Sequence, residues 1–317
     1  MLLLYLAPLT AIILGSFSSV ALLFTLFILS GLGMAGVGMG IMHDALHGSY
    51  SRHPALNKLM GYTMNLIGAS DEVWKLQHNV LHHSFTNIDD HDDDINAPFF
   101  LRFCPHAESN FFHRFQHYHA WIFYGLSTLS WITVKDFIRL RRYYRAGLLR
   151  DRKEYRKYLV RIILWKVFYF SYALVLPLVM SPFSPWTVLL GFLIMHFVTG
   201  LCITVVFQAA HVVPDAAFPV PDEAGKIGNA RMEHQLATTC NFSPQSKVLS
   251  WLIGGLNYQI EHHLFPHISH VHYKKISPIV KQTAAEFGIS YHCYPTFFSA
   301  ISGHFIMLRA LSRPSIV

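Results

Sequence analysis

The chain has 317 residues, of which 52% are hydrophobic and only 14% are charged, and its mean hydropathy is +0.33. Soluble domains carry about 25% charged residues, so this composition excludes an ordinary water-soluble protein and favours one membrane-embedded body. The formal net charge is +7, with the excess concentrated in residues 135–157, beside apolar segments. That position indicates the cytoplasmic side of a membrane rather than a nucleic-acid-binding surface.

Four apolar segments are predicted to cross a bilayer, and in chain order they are residues 1–15, 20–40, 158–180 and 186–208. The last three approach the ~20 residues that a hydrocarbon core requires. The segment at residues 1–15 lacks a basic region and a cleavage site, which predicts a membrane anchor rather than a signal peptide. Because this segment starts abruptly, we expect a few dozen further residues upstream of it. The last two form a hairpin, so the flanking segments, 41–157 and 209–317, share the cytoplasmic side. The sequence therefore predicts an all-α, multi-pass membrane protein.

Seven histidines occur in three clusters outside these spans: His43 and His47 in "HDALH", His78, His82 and His83 in "HNVLHH", and His262 and His263 in "QIEHH". The four-residue spacing in the first two clusters puts imidazoles on one face of a helix. Neutral imidazole binds zinc, copper, iron or nickel. Because seven ligands exceed what one tetrahedral zinc uses, a dinuclear site is the natural interpretation.

The ligand types favour oxygen chemistry. The clusters lack the Glu-x-x-His pairs of carboxylate-bridged diiron bundles, so the site is rich in nitrogen. Two irons with such ligands can bind and cleave dioxygen and oxidise an unactivated C–H bond, whereas zinc-dependent hydrolysis needs far fewer ligands. A metal transporter would place its ligands inside the spans. Hydrolysis and transport are therefore the less favoured alternatives.

The clusters resemble the histidine boxes of the membrane fatty acid desaturase family, HxxxH, HxxxHH and QxxHH. The glutamine of the third box and the flanking "WKLQHNVLHHSFTN", "QLATTCNFS" and "NYQIEHHLFPHISHVHY" are similar to the front-end subgroup (Δ6- or Δ5-like), which inserts a double bond between an existing one and the carboxyl end. The resemblance covers about residues 43–291. It implies one domain, residues 1–317, with four transmembrane helices under a cytosolic helical cap that holds a diiron site.

The resemblance also implies the ligands of the two irons: His43, His47, His78, His82, His83, His262 and His263 from the boxes, and His211 just beyond the fourth span. Gln259 stands where related acyl-CoA desaturases have a ligating histidine; it could bind weakly through its amide oxygen or orient a water. No catalytic residue beyond the metal centre is predicted. His196, inside the fourth span, is expected to be a packed or hydrogen-bonded residue. His234 and the aspartates of "NIDDHDDDI" are expected to support the ligands, although these acids could instead be solvated or attract a basic electron donor.

The implied reaction uses two irons, dioxygen, a fatty acyl-CoA or acyl-lipid substrate and an external electron donor. No His-Pro-Gly-Gly haem motif of a fused cytochrome b5 domain occurs in the sequence, so ferredoxin or free cytochrome b5 is the expected donor. A bacterial plasma membrane and the endoplasmic reticulum both fit. Sphingolipid desaturation, lipid hydroxylation and carotenoid oxidation on the same scaffold are the alternative reactions, which product analysis would separate.

Overall fold

The structure is a computed structural model that describes residues 1–15 and 17–313. The first nine α-helices are α1 (Leu2–Leu14), α2 (Val20–Gly36), α3 (His43–His47), α4 (Pro54–Gly61), α5 (Thr63–Leu66), α6 (Asp71–Trp74), α7 (His83–Phe85), α8 (Gln116–Ser130) and α9 (Asp136–Arg145). They are followed by α10 (Arg152–Phe170), α11 (Leu176–Met180), α12 (Pro185–His211), α13 (Arg231–Thr238), α14 (Lys247–Leu252), α15 (Gln259–Leu264), α16 (Tyr273–Glu286) and α17 (Phe297–Leu311).

The remaining regular elements are short. Wide π-helical turns occupy Val37–Met42, Lys75–His82, Trp131–Lys135 and Ser171–Val175, and 3-10 turns occupy Phe111–Phe115 and His270–His272. Strands β1 (Asn241–Phe242) and β2 (Cys293–Tyr294) pair in parallel, with Asn241 opposite Cys293. Nearly all of the regular secondary structure in the described residues is thus helical, which confirms the predicted all-α class. Residues 212–230 contain only turns and irregular backbone.

Three helices in the described part of the chain are long and apolar enough to cross a membrane: Val20–His47, Arg152–Met180 and Pro185–His211. They contain the predicted spans at 20–40, 158–180 and 186–208 and extend beyond each. The 13 residues of α1 measure about 20 Å, which is shorter than a hydrocarbon core of ~30 Å. A membrane protein is therefore supported, and the span at residues 1–15 stays a prediction.

The contacts divide the chain into two compact units. The first unit comprises Met1–Leu46, Arg52–Leu76 and Ile122–Thr204, and the second comprises His47–Ser51, Gln77–Trp121 and Val205–Val317. Most of each predicted span belongs to the first unit. The second unit has its own small apolar core, formed by Leu236, Ile260, Val280 and Ala284 of α13, α15 and α16.

The glycine-rich end of α2 allows close helix packing in the first unit. A Cβ atom on Gly31 would lie 2.6 Å from the backbone oxygen of Met195 in α12, and one on Gly33 would overlap the backbone of Tyr5 in α1. The Ser30 hydroxyl donates a hydrogen bond to the Tyr5 carbonyl at 2.7 Å. The glycines thus serve as packing residues, as small residues do between membrane helices.

His196 is buried in α12 with both ring nitrogens hydrogen-bonded, as predicted. Its Nε2 lies 2.6 Å from the Tyr169 hydroxyl, and its Nδ1 lies 3.2 Å from the Thr128 hydroxyl. Thr128 also donates to the His196 carbonyl at 2.8 Å. These bonds satisfy a polar ring that would otherwise be costly inside a membrane protein.

A buried salt bridge fixes the start of α6, the helix that leads directly into Lys75–His82. Asp136 Oδ2 accepts hydrogen bonds from Lys166 Nζ at 2.8 Å and from the Ser70 amide at 3.1 Å. Lys166 Nζ also donates to the carbonyls of Gly68 at 3.1 Å and Trp131 at 2.8 Å. All three ammonium protons therefore have acceptors, which is the condition under which a buried ion pair is tolerated.

We predict that Lys166→Met lowers the free energy of unfolding by about 3–5 kcal/mol, because it leaves the buried Asp136 carboxylate without its cation. Denaturant unfolding of the detergent-purified protein measures the change. Lys157→Met, at an exposed position of the same helix, is the matched control and should cost less than about 0.5 kcal/mol. Equal stability of the two variants would contradict this role of the salt bridge.

Candidate metal centre

The second unit contains seven of the eight predicted iron ligands. They come from separate segments of the chain: His47 at the end of α3, His78, His82 and His83 in and after the π-helical turn, His211 at the end of α12, and His262 and His263 in α15. The ring centroids of neighbouring histidines lie between 4.4 and 5.9 Å apart. All except His47 are buried. The eighth, His43, belongs to the first unit and is buried on α3, one helical turn before His47.

One group consists of His82, His211 and His263. A ring nitrogen of each lies within 4.8 Å of the other two. The Nε2 atoms of all three are buried and have no hydrogen-bond partner among residues 1–15 and 17–313. Buried polar atoms are nearly always hydrogen-bonded, so three such nitrogens gathered together are the donor set that a metal ion would satisfy.

The other ring nitrogens of this group are held by hydrogen bonds. His82 Nδ1 lies 2.9 and 3.0 Å from the two carboxylate oxygens of Asp92. His263 Nδ1 lies 2.7 Å from Gln235 Oε1. An acceptor at Nδ1 places the proton there and leaves a lone pair on Nε2, which is the usual arrangement of a metal-ligating histidine.

His211 is positioned through both its ring and its backbone. Its Nδ1 lies 3.4 Å from the Thr238 carbonyl, and its own carbonyl accepts a hydrogen bond from Asn87 Nδ2 at 2.9 Å. The buried side chain of Gln259, at the start of α15, interacts with the His211 side chain. Gln259 therefore lies beside this group, and its direct or water-mediated role stays a prediction.

A second group consists of His47, His78 and His262, again with one ring nitrogen of each within 4.8 Å of the others. His78 Nδ1 lies 3.0 Å from Asp94 Oδ2. The two groups share no residue, and a third group joins His78 of one to His82 of the other together with Asp94. His83 belongs to a further group with His262 and His263. A set made only of imidazole nitrogens fits iron, zinc, copper or nickel, and its size fits more than one ion.

A π-helical turn explains how the second box gathers its rings. The sequence predicts an α-helical face for His78 and His82, but the structure has Lys75–His82 in a π-helical conformation, in which hydrogen bonds join residues five apart. His83, five residues after His78, therefore faces it, with 3.3 Å between their Nε2 atoms. His82 stacks on His78 at 5.1 Å between ring centroids. The predicted α-helical geometry is thus corrected.

Two of the five aspartates in the acidic segment "NIDDHDDDI", Asp92 and Asp94, accept hydrogen bonds from histidine rings, which is one of the expected alternatives for this segment. Asp92 is fully buried and also accepts from the amides of Asn87 and Asp94, each at 2.9 Å. Burial disfavours a charged His82 ring, but the Asp92 carboxylate outweighs it and raises the pKa of His82. A metal bound at Nε2 would compete with that proton.

The pKa of His263 is lowered, in contrast to that of His82. Burial, followed by the repulsion from neighbouring histidines, holds the pKa of His263 well below its ordinary value. The ring is therefore neutral at physiological pH, which is the form that ligates metals.

Sequence reasoning did not single out Gln235, although it opens the quoted stretch "QLATTCNFS". Its Oε1 accepts from the Thr86 hydroxyl at 3.0 Å as well as facing His263, and its Nε2 donates to the His83 carbonyl at 3.1 Å. One buried amide thus links two of the boxes. His234, the preceding residue, is buried in α13, and its predicted supporting role stays a prediction.

The third box is held by the buried carboxylate of Glu261. Its oxygens accept hydrogen bonds from Asn241 Nδ2 at 2.7 Å and from the Tyr291 hydroxyl at 2.8 Å, and burial raises its pKa. Asn241 Oδ1 also accepts from the Ile260 amide at 2.9 Å. The strand β1 therefore fixes α15 and, with it, the direction of the two adjacent histidines.

Comparison with known proteins agrees with these observations. The chain matches the family described as fatty acid desaturase over residues 18–295. It is 36% identical over 287 residues to an sn-1 linoleoyl-lipid 6-desaturase from Arthrospira platensis, covering 90% of this chain and 77% of the relative.

Two eukaryotic relatives are longer than this chain. An acyl-lipid (8-3)-desaturase from Physcomitrium patens is 39% identical over 303 residues, covering 93% of this chain and 62% of the relative. A Delta(5) fatty acid desaturase A from Dictyostelium discoideum is 32% identical over 273 residues, covering 84% and 58%. The family match spans most of the chain and includes all three histidine boxes. The chain therefore belongs to the fatty acid desaturase family, as a member of its front-end subgroup.

Proposed function

We propose that this desaturase introduces a cis double bond between an existing double bond and the carboxyl end of a lipid-linked acyl chain. The observation that carries the proposal is the gathering of buried Nε2 atoms of His82, His211 and His263, each without a protein partner in the described residues. The relatives' names describe desaturases of lipid-linked acyl chains, which favours an acyl-lipid over an acyl-CoA substrate. Sphingolipid desaturation and lipid hydroxylation find no such support.

In this proposal the eight histidines hold two irons. His82, His211 and His263 would hold one iron, and His47, His78 and His262 would hold the other together with His43 of the first box. His83, grouped with His262 and His263, would complete the set, and Gln259 would bind weakly or orient a water. The irons, when bound, would supply the dioxygen activation that removal of two hydrogens from adjacent acyl carbons requires.

The chain's own contribution is positioning and exclusion of water. Asp92, Asp94 and Gln235 hold the Nδ1 atoms of three rings, which fixes the direction of their Nε2 lone pairs. Burial keeps the ligand atoms away from bulk water, which suppresses side reactions of a strong oxidant. Metal affinity and the geometry of the site therefore depend on side chains that never touch the metal.

We further propose that the chain is one desaturase domain with four transmembrane helices and its metal site on the cytoplasmic side. The family match includes segments of both compact units. The exposed arginines and lysines of α9 and the start of α10 adjoin a candidate span, as the positive-inside rule expects of cytoplasmic residues. The proposed electron donor is ferredoxin or cytochrome b5.

We predict that a host fed linoleic and α-linolenic acids and expressing this chain makes new fatty acids, each with one added double bond nearer the carboxyl end. His262→Ala should abolish these products, because it removes a proposed ligand. His267→Ala, which changes an exposed histidine of the same motif, should retain them. Gas chromatography of the fatty acids, with location of the double bonds by mass spectrometry, decides the outcome. Purified protein that holds two irons while the host gains no unsaturation would show that the proposed reaction or substrate class is wrong.

We predict two irons per chain in the purified wild-type protein and the loss of at least one in His211→Ala, because that change removes an Nε2 ligand. His267→Ala should keep both irons. Elemental analysis by mass spectrometry measures the ratio. A single zinc in the wild type, or an unchanged iron content in His211→Ala, would contradict the ligand assignment.

We predict that Asp92→Asn weakens iron binding about 10- to 100-fold, the usual effect of losing a carboxylate that orients a ligating histidine. Competition with a chelator of known affinity measures the change. Asp90→Asn, at an exposed position of the same acidic segment, is the matched control and should bind iron like the wild type. If both variants bind equally well, Asp92 does not position His82 for metal binding.

A further inference from the structure

An open cavity of about 460 Å³ in the second unit is lined by three arginines, Arg114, Arg309 and Arg313, and by two residues with a hydroxyl group, Tyr118 and Ser312. No carboxylate occurs among the described residues that line it, and all three arginines are exposed. None of the proposed iron ligands lines this cavity. Its concentration of positive charge is the arrangement that binds an anion, and guanidinium groups match the geometry of phosphate oxygens.

Buried hydrogen bonds hold the two chain segments that carry the lining residues. Gln116 Nε2 donates to the carbonyls of Leu308 at 3.0 Å and Arg102 at 3.1 Å, and its Oε1 accepts from the Arg102 amide at 2.7 Å. Arg102 Nη1 donates to the carbonyls of Leu311 at 3.2 Å and Arg313 at 3.0 Å. A buried guanidinium thus covers carbonyls at the end of α17, whose partial negative charge would otherwise oppose an anion.

His117 adds a buried polar ring to the cavity wall. It is only 7% exposed, and its Nδ1 has no hydrogen-bond partner within residues 1–15 and 17–313. Burial, and then the positive charge of Arg309, lowers the pKa of His117, so the ring is neutral and keeps one donor and one acceptor nitrogen. An unsatisfied buried nitrogen beside three cations points to a polar ligand.

Four large aromatic side chains are exposed on the segment that leads into this cavity: Phe111 (76%), Phe112 (52%), Phe115 (52%) and Tyr118 (66%). Phe115 and Tyr118 also line the cavity. Exposed aromatic residues of membrane proteins gather at the headgroup level. The apolar helix α17, too short to span a bilayer, has the character of an interfacial helix. These features favour an anion that is attached to a lipid.

We propose that this cavity binds the phosphate group of a membrane phospholipid, with Arg114, Arg309 and Arg313 as its charge partners. The exposed aromatic rings would contact the adjoining glycerol and acyl region. A free phosphate or a soluble phosphate ester such as coenzyme A would make no use of aromatic rings at the headgroup level. The proposal requires a membrane location but does not depend on the position of the new double bond or on the identity of the metal.

The test is native mass spectrometry of the full-length protein, delipidated in a neutral maltoside detergent and titrated with four separate probes. These are dioleoylphosphatidylglycerol, dioleoylglycerol (which lacks the phosphate), coenzyme A and inorganic phosphate. We expect one phosphatidylglycerol per chain, bound more tightly than any other probe. The double substitution Arg114→Gln/Arg309→Gln should weaken this binding at least tenfold, since each charged hydrogen bond is worth roughly a factor of ten.

The matched control is Arg141→Gln/Arg145→Gln, which removes two exposed arginines of α9 and the same net charge; it should bind the lipid like the wild type. Equal weakening in both double variants would reduce the effect to net charge and overturn the proposal. Coenzyme A or inorganic phosphate binding as tightly as the lipid would overturn the lipid assignment. If the cavity double variant misfolds, Ser312→Asp is tested in its place, because it retains every arginine and adds a negative charge to the cavity. Iron content equal to that of the wild type shows that this variant is folded. Unchanged lipid binding in the folded variant would also overturn the proposal.

Discussion

The nitrogen atoms of buried imidazole rings need hydrogen-bond partners or a bound metal ion, and the other residues of the second unit hold the rings accordingly. A buried polar atom without a partner costs about 1–3 kcal/mol, and protonated rings packed 4.4 to 5.9 Å apart would repel one another. The Nδ1 atoms of His82, His211 and His263 face protein acceptors, whereas their Nε2 atoms have no partner among residues 1–15 and 17–313. In the proposed function a bound metal ion would be the partner of these Nε2 atoms, which would couple metal binding to the folding of this unit.

The residues that hold the histidine rings of the metal centre are polar and buried. Asp92 faces His82 from the segment after the second box, and Gln235 faces His263 from α13. Glu261 is itself held by Asn241 of β1. Asp92, Gln235 and Glu261 are each hydrogen-bonded to further groups. A substitution at one of these three residues therefore alters the direction of a histidine ligand and does not remove the ligand. The function therefore depends on these supporting hydrogen bonds as much as on the histidine boxes.

Features encoded locally could be predicted from the sequence, and features that depend on long-range contacts could not. Apolar length predicted three helices that the structure contains, and box spacing predicted the histidine clusters. Hydropathy could not show that α1 has only 13 helical residues. Nor could the four-residue spacing reveal a π-helical turn, because that conformation depends on the surrounding contacts. Gln235 and the cavity arginines, separated from their neighbours by many residues, became recognisable only once the fold placed them.

The central claim is that the buried histidines form one nitrogen-rich site for two irons. X-ray absorption at the iron K-edge, combined with elemental analysis of the same purified sample, tests it most directly. The account predicts two irons per chain, each with a coordination shell dominated by nitrogen and with the outer-shell scattering of imidazole rings. A single zinc per chain, or one iron in a shell dominated by oxygen, would contradict it.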